Sequence, residues 1–408
     1  MEMVPAPGRF AAGTILRILV ANPGSSSRRY ALFQEGIALA SAHLKTIADG
    51  FRASLEMPGA GQPFAISAEV FRNGPSLFLD SLARAGLLPD LSGIDGIAMR
   101  IVAPGTCFQK HAPLDEAYLE ELEAAAGFAP LHAGPMLEEV RVLRRLLPAA
   151  PLLAISDSAF HASLPPAARE YALPREDADR FDIHRFGYHG ISAQSILRKL
   201  AEKPPLPRRL VLCHLGSGAS IMAVHDGRSV DASMGFSPLE GLVMGTRTGD
   251  LDPIAALHLK KKAGLDDAGL EKYLNTGCGL LGLSGITADA YRLEEAESRG
   301  EVRAALALEA FVHRARKYVA AAAAVLGGVD RIVFTAGIGE RSPRIRARIC
   351  RGLEWMGLEL DAERNAGSVA VDAELQATGS PVAIATMVTR EMEEMALRAG
   401  ELLKGRCR

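Results

Sequence analysis

The sequence predicts an α/β protein built as two related halves, and three observations support this fold class. Short apolar strands alternate with helical segments along the chain, which is typical of α/β domains. A strand, a turn rich in Gly and Ser and a second strand occur near the N-terminus and recur about 190 residues later, which indicates a duplication. The length of 408 residues exceeds one ordinary core and fits about two domains of roughly 100–200 residues.

The first hairpin begins at an apolar, β-prone segment, residues 15–21. A turn-like stretch at 22–27 leads to a second strand at 30–34, and Glu35-Gly36 closes it as a turn.

The second hairpin has the same parts, with strands at 210–214 and 220–225 joined by Gly216-Ser217-Gly218. Asp226-Gly227 then reads as a hairpin turn. The two hairpins are the clearest evidence for the duplication.

Between and after the hairpins, apolar periodicity predicts helices at 114–126, 135–147 and 306–326. Short buried strands are predicted at 151–156 and 331–335.

A Pro-rich stretch at 203–207 reads as a domain junction. We therefore predict a tail at 1–14 and domains at 15–200 and 208–408, with the C-terminal helix able to pack back on the first domain.

Composition argues for a soluble, cytoplasmic protein. Apolar residues make up 48% and charged residues 23%, and 46 Lys+Arg against 48 Asp+Glu give a net charge of -2. A general nucleic-acid or anionic-membrane binder would be more basic, so neither partner is expected. No charge-free apolar stretch approaches the length of a membrane-spanning helix, and Arg17 interrupts the apolar N-terminal run of a would-be signal peptide.

The cysteines are predicted to be buried thiols, because they are scattered and form no CxxC pair that a disulfide framework or zinc site would favour. They are Cys107, Cys213, Cys278, Cys350 and Cys407.

Three loops of small residues follow apolar strands, at 22–27, 214–220 and 335–340. Each alone is compatible with a tight turn, but small residues at strand ends also let backbone N–H groups approach a phosphate. Three such loops favour nucleotide binding. No GxxxxGK[ST] motif is present, and the GxGxxG match at 277–282 follows no clear strand, so neither a P-loop nor a dinucleotide fold is predicted.

Four polar residues lie in otherwise small or apolar stretches: Arg100, Asp157, His189 and Arg247. Each alone is compatible with an ion pair, a cap or a buried histidine. Together with phosphate-binding loops they form a set suited to phosphoryl transfer, which depends on cationic groups at the moving phosphoryl and on metal at the nucleotide.

The longer residue strings resemble the acetate kinase family of short-chain acyl kinases. The most specific string is SMGFSPLEG at 233–241, followed by GTRTGD at 245–250. Further matches, in family order from about residue 15 to about residue 400, lie at 20–33, 157–161, 187–190, 214–220, 280–285 and 335–340.

This resemblance implies a duplicated two-domain fold of the ribonuclease-H-like type found in actin, the Hsp70 chaperones and sugar kinases, with ATP in an interdomain cleft. It also implies reversible transfer of the ATP γ-phosphoryl group to a short carboxylate, giving an acyl phosphate and ADP, and a homodimer.

Carried over to this sequence, the resemblance makes Arg100 and Arg247 the groups that grip the carboxylate and the transferring phosphoryl. His189 would donate a hydrogen bond to developing charge, and Asp157 would orient an arginine or the metal shell.

The same resemblance places Mg²⁺, or Mn²⁺, at Asn22 and Glu391. It implies nucleotide contacts from Asn22, Ser25, Arg29, His214, Gly216, Ser217, Gly218, Asp289, Gly337, Gly339 and Glu340.

The acyl pocket would be lined by Val102, Leu131, Tyr188 and Pro238. Tyr188 stands where the family has Phe, and its hydroxyl would need a partner if buried.

The departures from the family pattern are Met99 and Ala103 for two histidines, Ala133 and Ser217 for two asparagines, and Arg29 for a lysine.

These departures leave three readings open: an acetate kinase, a kinase for a larger acid such as propionate, butyrate or a hydroxy acid, or a nucleotide-binding homologue with weakened catalysis. Retention of Arg100, Asp157, His189 and Arg247 argues against the last.

Overall fold

The computed structural model describes residues 15–24, 26–47, 49–126 and 130–405, without the side chains of 130–133. The chain divides into two compact units. The first comprises the described parts of Met1–Ala159 and Arg390–Arg408, and the second comprises Phe160–Thr389.

The strands of the first unit are β1 (Arg17–Pro23), β2 (Ser27–Gln34), β3 (Ile37–Ile47), β4 (Gly50–Glu56), β5 (Phe64–Ile66), β6 (Gly96–Ile101), β7 (Ala112–Pro113) and β8 (Leu152–Ser156). Those of the second unit are β9 (Arg209–Leu215), β10 (Ala219–His225), β11 (Arg228–Ala232), β12 (Arg331–Thr335), β13 (Ala373–Glu374) and β14 (Ala383–Thr386).

The helices are α1 (Ala68–Arg72), α2 (Gly74–Arg84), α3 (Glu116–Ala126), α4 (Pro130–Leu146), α5 (Pro166–Arg169), α6 (Arg175–Phe181), α7 (Gly190–Ala201), α8 (Pro253–Ala263), α9 (Asp267–Thr276), α10 (Gly279–Ser284), α11 (Ala290–Ser298), α12 (Val302–Leu326), α13 (Ala336–Arg341), α14 (Pro343–Cys350), α15 (Ala362–Gly367) and α16 (Glu391–Leu403). Among the described residues, no helix is both long enough and apolar enough to cross a bilayer.

The strand order of the second sheet repeats that of six of the eight strands of the first, from β3 to β7, which confirms the predicted duplication. In the first unit the order is β5-β4-β3-β2-β1-β6-β8-β7, and in the second it is β11-β10-β9-β12-β14-β13. The first strand of each unit pairs antiparallel with the following hairpin strand and parallel with a later strand, β6 or β12. Parallel strands bring their carboxyl ends to one edge of a sheet, where α/β proteins usually bind ligands.

The central strands of each sheet, β1, β6 and β8 in the first and β9, β10 and β12 in the second, are continuously buried, as is typical of strands covered on both faces. In the first unit one core joins apolar residues of the sheet with those of α2, α3 and α4. Helix α16 packs against β1 and β6, so closely that a Cβ at Gly96 would lie 2.9 Å from Leu403 Cδ1. In the second unit α12 packs on β9 and β10, and α7 shares a separate core with them.

Several predicted boundaries differ from the structure. Helix α4 begins at Pro130 rather than 135, with Pro135 inside it, and α12 begins at Val302 rather than 306. The small-residue segment at 335–340, predicted as a loop, mostly forms the short helix α13. The GxGxxG match follows helix α9 instead of a strand, which confirms that it is not a dinucleotide motif.

The Pro-rich stretch at 203–207 lies inside the second unit, because α7 before it and β9 after it pack in one core. The units change instead after Ala159 and after Thr389.

The prediction that the cysteines are buried holds for two of the four described ones, none of which is joined to another in a disulfide. Cys213 and Cys350 are buried, whereas Cys107 and Cys278 are half-buried.

Candidate functional site

Three of the predicted site residues meet in the first unit. Arg100 lies near the end of β6, and Asp157 follows β8, its parallel neighbour. Arg100 Nη2 donates to Asp157 Oδ2 at 2.8 Å, and Arg100 Nη1 lies 4.0 Å from Glu391 Oε2 at the start of α16. The Arg100 side chain is 17% exposed and that of Asp157 only 1%. The strand edge and the N-terminal end of one helix therefore place a cation between two carboxylates.

The electrostatics keep this arginine charged. Burial lowers the pKa of Arg100, but the carboxylates of Asp157 and Glu391 outweigh burial and raise the pKa above its ordinary value. A permanently charged guanidinium is suited to binding an anionic substrate group.

Two atoms of this cluster lack partners. Within the described part of the chain, Arg100 Nε and Glu391 Oε1 are buried and make no hydrogen bond. A buried donor and a buried acceptor left unpaired are costly unless a ligand or ion satisfies them. This pair therefore makes the cluster a candidate binding site.

Asn22 occupies the same strand edge. Ala21 pairs with Met99 across β1 and β6, so Asn22 lies level with Arg100 on the neighbouring strand. Arg29 faces Asn22 across the β1–β2 hairpin and is exposed. Ser25 lies outside the described residues.

The two residues that replace histidines in the first unit lie in its hydrophobic core. The side chains of Met99 and Ala103 are buried in the core of that unit, whereas Val102 is half-buried. Leu131 and Ala133 lie in the first turn of α4, with side chains outside the described residues.

A second cluster forms in the second unit around two stacked imidazoles. The His189 and His214 rings have centroids 4.0 Å apart and an interplanar angle of 17°. His189 Nδ1 lies 3.0 Å from Ser220 Oγ, and His214 Nδ1 lies 2.9 Å from Ser192 Oγ. Because each Nδ1 is held by a hydroxyl, both rings have fixed orientations.

The turn between β9 and β10 brings His189 and Arg247 together. A Cβ placed on Gly218 would lie 3.2 Å from His189 Nε2 and 3.5 Å from Arg247 Nη1. Arg247 Nη1 also donates to the carbonyl oxygen of Pro238 at 3.2 Å. An imidazole, a guanidinium and a glycine backbone therefore converge where a phosphoryl group could be bound. The turn itself is closed by a bond from Gly216 N to Gly218 O at 3.0 Å, and Ser217 is exposed.

The Tyr188 hydroxyl has the partner that the sequence required. Tyr188 is buried, and its hydroxyl donates to the carbonyl oxygen of Phe236 at 2.6 Å. Pro238, two residues further on, is also buried. The extra hydroxyl is thus used to hold main chain.

The remaining predicted nucleotide residues have structural partners of their own. Glu340 is buried and accepts from Ala336 N at 2.8 Å and from Thr389 N at 3.0 Å. Asp289 is exposed and caps α11 by accepting from Tyr291 N. Of the two glycines of α13, Gly337 is exposed and Gly339 is buried.

Sequence reasoning missed Ser192, whose hydroxyl contacts His214, and its neighbour Ser195. Ser192 and Ser195 lie on the buried face of α7, and both contact Thr389 Oγ1, at 3.0 and 3.2 Å. Two serines on a helical face that is otherwise apolar were the available signal, because buried hydroxyls need polar partners.

Comparisons with known proteins identify the family. The sequence pattern of the Acetokinase family matches residues 17–397. An acetate kinase of Heliobacterium modesticaldum is 38% identical over 397 residues, covering 95% of this chain and 100% of that relative. One of Desulfitobacterium hafniense is 38% identical over 365 residues, covering 86% and 90%.

Two solved structures are similar over the whole chain. A Porphyromonas gingivalis acetate kinase has a TM-score of 0.84 at 31% identity, covering 95% of this chain and 100% of that one. A propionate kinase from Francisella tularensis subsp. tularensis has a TM-score of 0.87 at 31% identity, with the same coverage of 95% and 100%.

Proposed function

This chain belongs to the acetokinase family of carboxylate kinases, and from that premise we propose how its residues transfer the γ-phosphoryl group of ATP to acetate. An oxygen of the carboxylate attacks the γ-phosphorus while the bond from that phosphorus to the β–γ bridging oxygen breaks. The products are acetyl phosphate and ADP, and the reaction is reversible. The convergence of His189 Nε2 and Arg247 Nη1 on Gly218 carries the proposal.

In the second unit, Arg247 binds the oxygens of the transferring phosphoryl group and His189 donates a hydrogen bond to them. Both groups act on charge that spreads over the phosphoryl oxygens as it moves. The backbone of Gly216, Ser217 and Gly218 and the ring of His214 contact the nucleotide phosphates. The convergence of His189 and Arg247 on the space beside Gly218, where a Cβ would lie 3.2 and 3.5 Å from them, supports this assignment.

In the first unit, Arg100 binds the carboxylate substrate and Asp157 holds the guanidinium in place. The unpartnered Arg100 Nε supports this role, because it is a buried donor available to a carboxylate oxygen. The bond to Asp157 at 2.8 Å fixes the guanidinium plane.

The residues present also fit a magnesium ion bound with the nucleotide. Among the described residues, no group of three or more His, Cys, Asp or Glu side chains is placed to hold a metal unaided. Mg²⁺ commonly needs only one or two carboxylates and takes its other ligands from phosphates and water. Glu391, through its unpartnered Oε1, and Asn22 would hold it, or Mn²⁺. When bound, the ion neutralises phosphate charge.

The test is ATP-dependent acyl phosphate formation, trapped with hydroxylamine, for formate, acetate, propionate, butyrate and lactate with Mg²⁺ present. We expect the highest kcat/KM with acetate, since Met99 and Ala103 lie in the core. A higher value for propionate or butyrate would move the assignment to a larger acid. No turnover by a protein that still binds ATP would overturn the kinase assignment in favour of a nucleotide-binding homologue.

In the same assay, Arg247→Ala should abolish most turnover. A separate binding measurement should show that the variant still binds ADP.

We also propose that the protein is a homodimer in which a second copy covers α8. Helix α8 has no buried residue among its 11, and Ile254 and Leu257 are 70% and 58% exposed. Apolar side chains exposed in this way commonly mark an interface. Sedimentation equilibrium should give a dimer mass, and Leu257→Asp should shift the protein toward monomer. A monomeric unaltered protein would overturn this assignment.

A further inference from the structure

In the second unit, two side chains donate hydrogen bonds to the carboxylate of a third, and none of the three has a role in the proposed function. They are Tyr171, Arg185 and Glu240, which we call the loop clamp. The Tyr171 hydroxyl donates to Glu240 Oε2, and Arg185 Nη1 donates to Glu240 Oε1. The Arg185 guanidinium also lies over the Tyr171 ring, with Cζ 5.5 Å from the centroid. Both carboxylate oxygens are thus held by residues distant in sequence.

The loop clamp also binds the main chain of residues 232–240. Phe236 N donates to the Tyr171 hydroxyl at 2.8 Å, and Arg185 Nη2 donates to the carbonyl oxygen of Ala232 at 2.8 Å. Glu240 ends the segment. The segment is therefore held at its beginning, middle and end by three mutually bonded side chains.

The hydrogen bonds of the loop clamp require a glycine at position 235. A Cβ at Gly235 would lie 1.8 Å from Glu240 Oε2 and 2.1 Å from the Tyr171 hydroxyl oxygen. Atoms cannot approach that closely, so any side chain at 235 would displace the Tyr171–Glu240 bond.

Residues 232–240 also provide the carbonyl oxygens that accept hydrogen bonds from two proposed site residues, Tyr188 and Arg247. The Phe236 carbonyl accepts from the Tyr188 hydroxyl at 2.6 Å, and the Pro238 carbonyl accepts from Arg247 Nη1 at 3.2 Å. Movement of the segment would therefore move the Arg247 guanidinium and the Tyr188 ring. In phosphoryl transfer, a misplacement of about 1 Å can cost roughly a hundredfold in rate.

We propose that Tyr171, Arg185 and Glu240 are positioning residues of the kinase reaction, which set Arg247 and Tyr188 through residues 232–240. This inference rests on the proposed function.

The protonation states of Tyr171 and Arg185 keep the hydrogen bonds of the loop clamp in place. Burial and the neighbouring Glu240 raise the pKa of the Tyr171 hydroxyl, so it remains a donor. Burial lowers the pKa of Arg185, but Glu240 outweighs it and raises the pKa, so the ion pair persists.

The experiment compares Tyr171→Phe with Leu326→Ala. Leu326 is a buried residue at the C-terminal end of α12, so its truncation is a control for loss of stability. We expect Tyr171→Phe to lower kcat/KM for the carboxylate by about tenfold to a hundredfold, with the Kd for ADP unchanged. Leu326→Ala should lower Tm and leave the kinetic constants near those of the unaltered protein. Glu240→Gln should behave as Tyr171→Phe, and the double variant should be no worse than the worse single variant, because both break one unit.

Gly235→Ala provides an independent way to open the loop clamp, since it removes no polar group. The same loss of carboxylate kcat/KM is expected. If that variant does not fold, Tyr171→Phe and Glu240→Gln decide alone. Kinetic constants of Tyr171→Phe equal to those of Leu326→Ala would overturn the positioning role while leaving the kinase assignment standing. Absence of carboxylate turnover in the unaltered protein would overturn the proposed function and this inference with it.

Discussion

At the scale of single residues, one substitution can test the contact between His214 and Ser192. Ser192 Oγ lies 2.9 Å from His214 Nδ1. A neutral hydrogen bond of this kind contributes about 1 kcal/mol, or roughly fivefold in an equilibrium constant. Ser192→Ala is therefore expected to raise the KM for ATP about fivefold, with the KM for acetate unchanged, in steady-state kinetics. Ser195→Ala is the matched control, because Ser195 lies one turn along α7 and its hydroxyl donates to the Ser192 carbonyl at 2.9 Å. Equal KM values in both variants would contradict a specific role for Ser192.

Gly218 is the residue at which a single added carbon tests the phosphate assignment. In Gly218→Ala the new Cβ would stand 3.2 Å from His189 Nε2 and 3.5 Å from Arg247 Nη1. The overlap is mild, so Tm should change by no more than a few degrees, but the carbon would occupy the space assigned to a phosphoryl oxygen. We expect kcat to fall by about tenfold or more. Gly61→Ala is the control, because a Cβ at Gly61 would meet nothing within 4 Å and Gly61, like Gly218, does not have the positive φ at which an added side chain is strained. Unchanged kcat in Gly218→Ala would show that phosphate does not bind there.

At the scale of elements, α16 links packing to the first cluster, because Glu391 begins this helix. The helix lies on β6 at Gly96, where a Cβ would approach Leu403 Cδ1 at 2.9 Å. Gly96→Ala should therefore destabilise the protein by about 1–3 kcal/mol through overpacking. Leu403→Ala alone should cost about 2–5 kcal/mol.

The double variant is the control for this contact. Because Leu403→Ala removes the atom that Gly96→Ala would meet, the double variant should be more stable than the sum of the two single losses predicts. Denaturant unfolding measures all three values. Strict additivity would show that the 2.9 Å approach is relieved elsewhere.

Strands, helices and turns were predictable from the sequence where neighbouring residues determine them. Both hairpins carry turns that require positive φ, such as Glu35-Gly36 and Asp226-Gly227, and these were placed correctly. The start of α4 was wrong because Pro135 favours a first turn, whereas the structure keeps it inside the helix. The core that α7 and β9 share was also missed. It joins residues on both sides of the Pro-rich stretch, and that packing leaves no trace in local composition.

At the scale of the whole molecule, the residue types of the site were visible in the sequence, but their supports were not. Arg100, Asp157, His189 and Arg247 stood out as polar residues in apolar stretches. The loop clamp did not, because Tyr171, Arg185 and Glu240 are ordinary surface-compatible residues until the fold brings them together. Partnerships across 55 and 69 positions depend on tertiary packing, and residue spacing gives no sign of them.

The stability of the molecule should also depend on pH through a buried acid in the first unit. Glu139 is fully buried beside Arg28, whose Nη1 donates to it at 2.7 Å while Nη2 donates to Glu138 at 2.6 Å. Burial raises the pKa of Glu139 to about 7, against the lowering effect of Arg28. The folded state thus binds this proton more tightly than the unfolded chain, whose carboxyl has the ordinary value of 4.5.

A raised folded-state pKa contributes stability that is full below pH 4.5 and is lost as the pH rises through about 7. Ionisation of Glu139 should therefore remove about 1–3 kcal/mol between these limits. Glu139→Gln keeps the size of the side chain and cannot titrate, so its Tm should fall less than that of the unaltered protein between pH 5 and pH 8. Calorimetry across this range measures the difference, and Glu138→Gln, at a half-buried neighbour that also pairs with Arg28, is the control. If the unaltered protein gained stability relative to Glu139→Gln as the pH rose, the pairing with Arg28 would outweigh burial and the carboxyl would be ionised in the folded state.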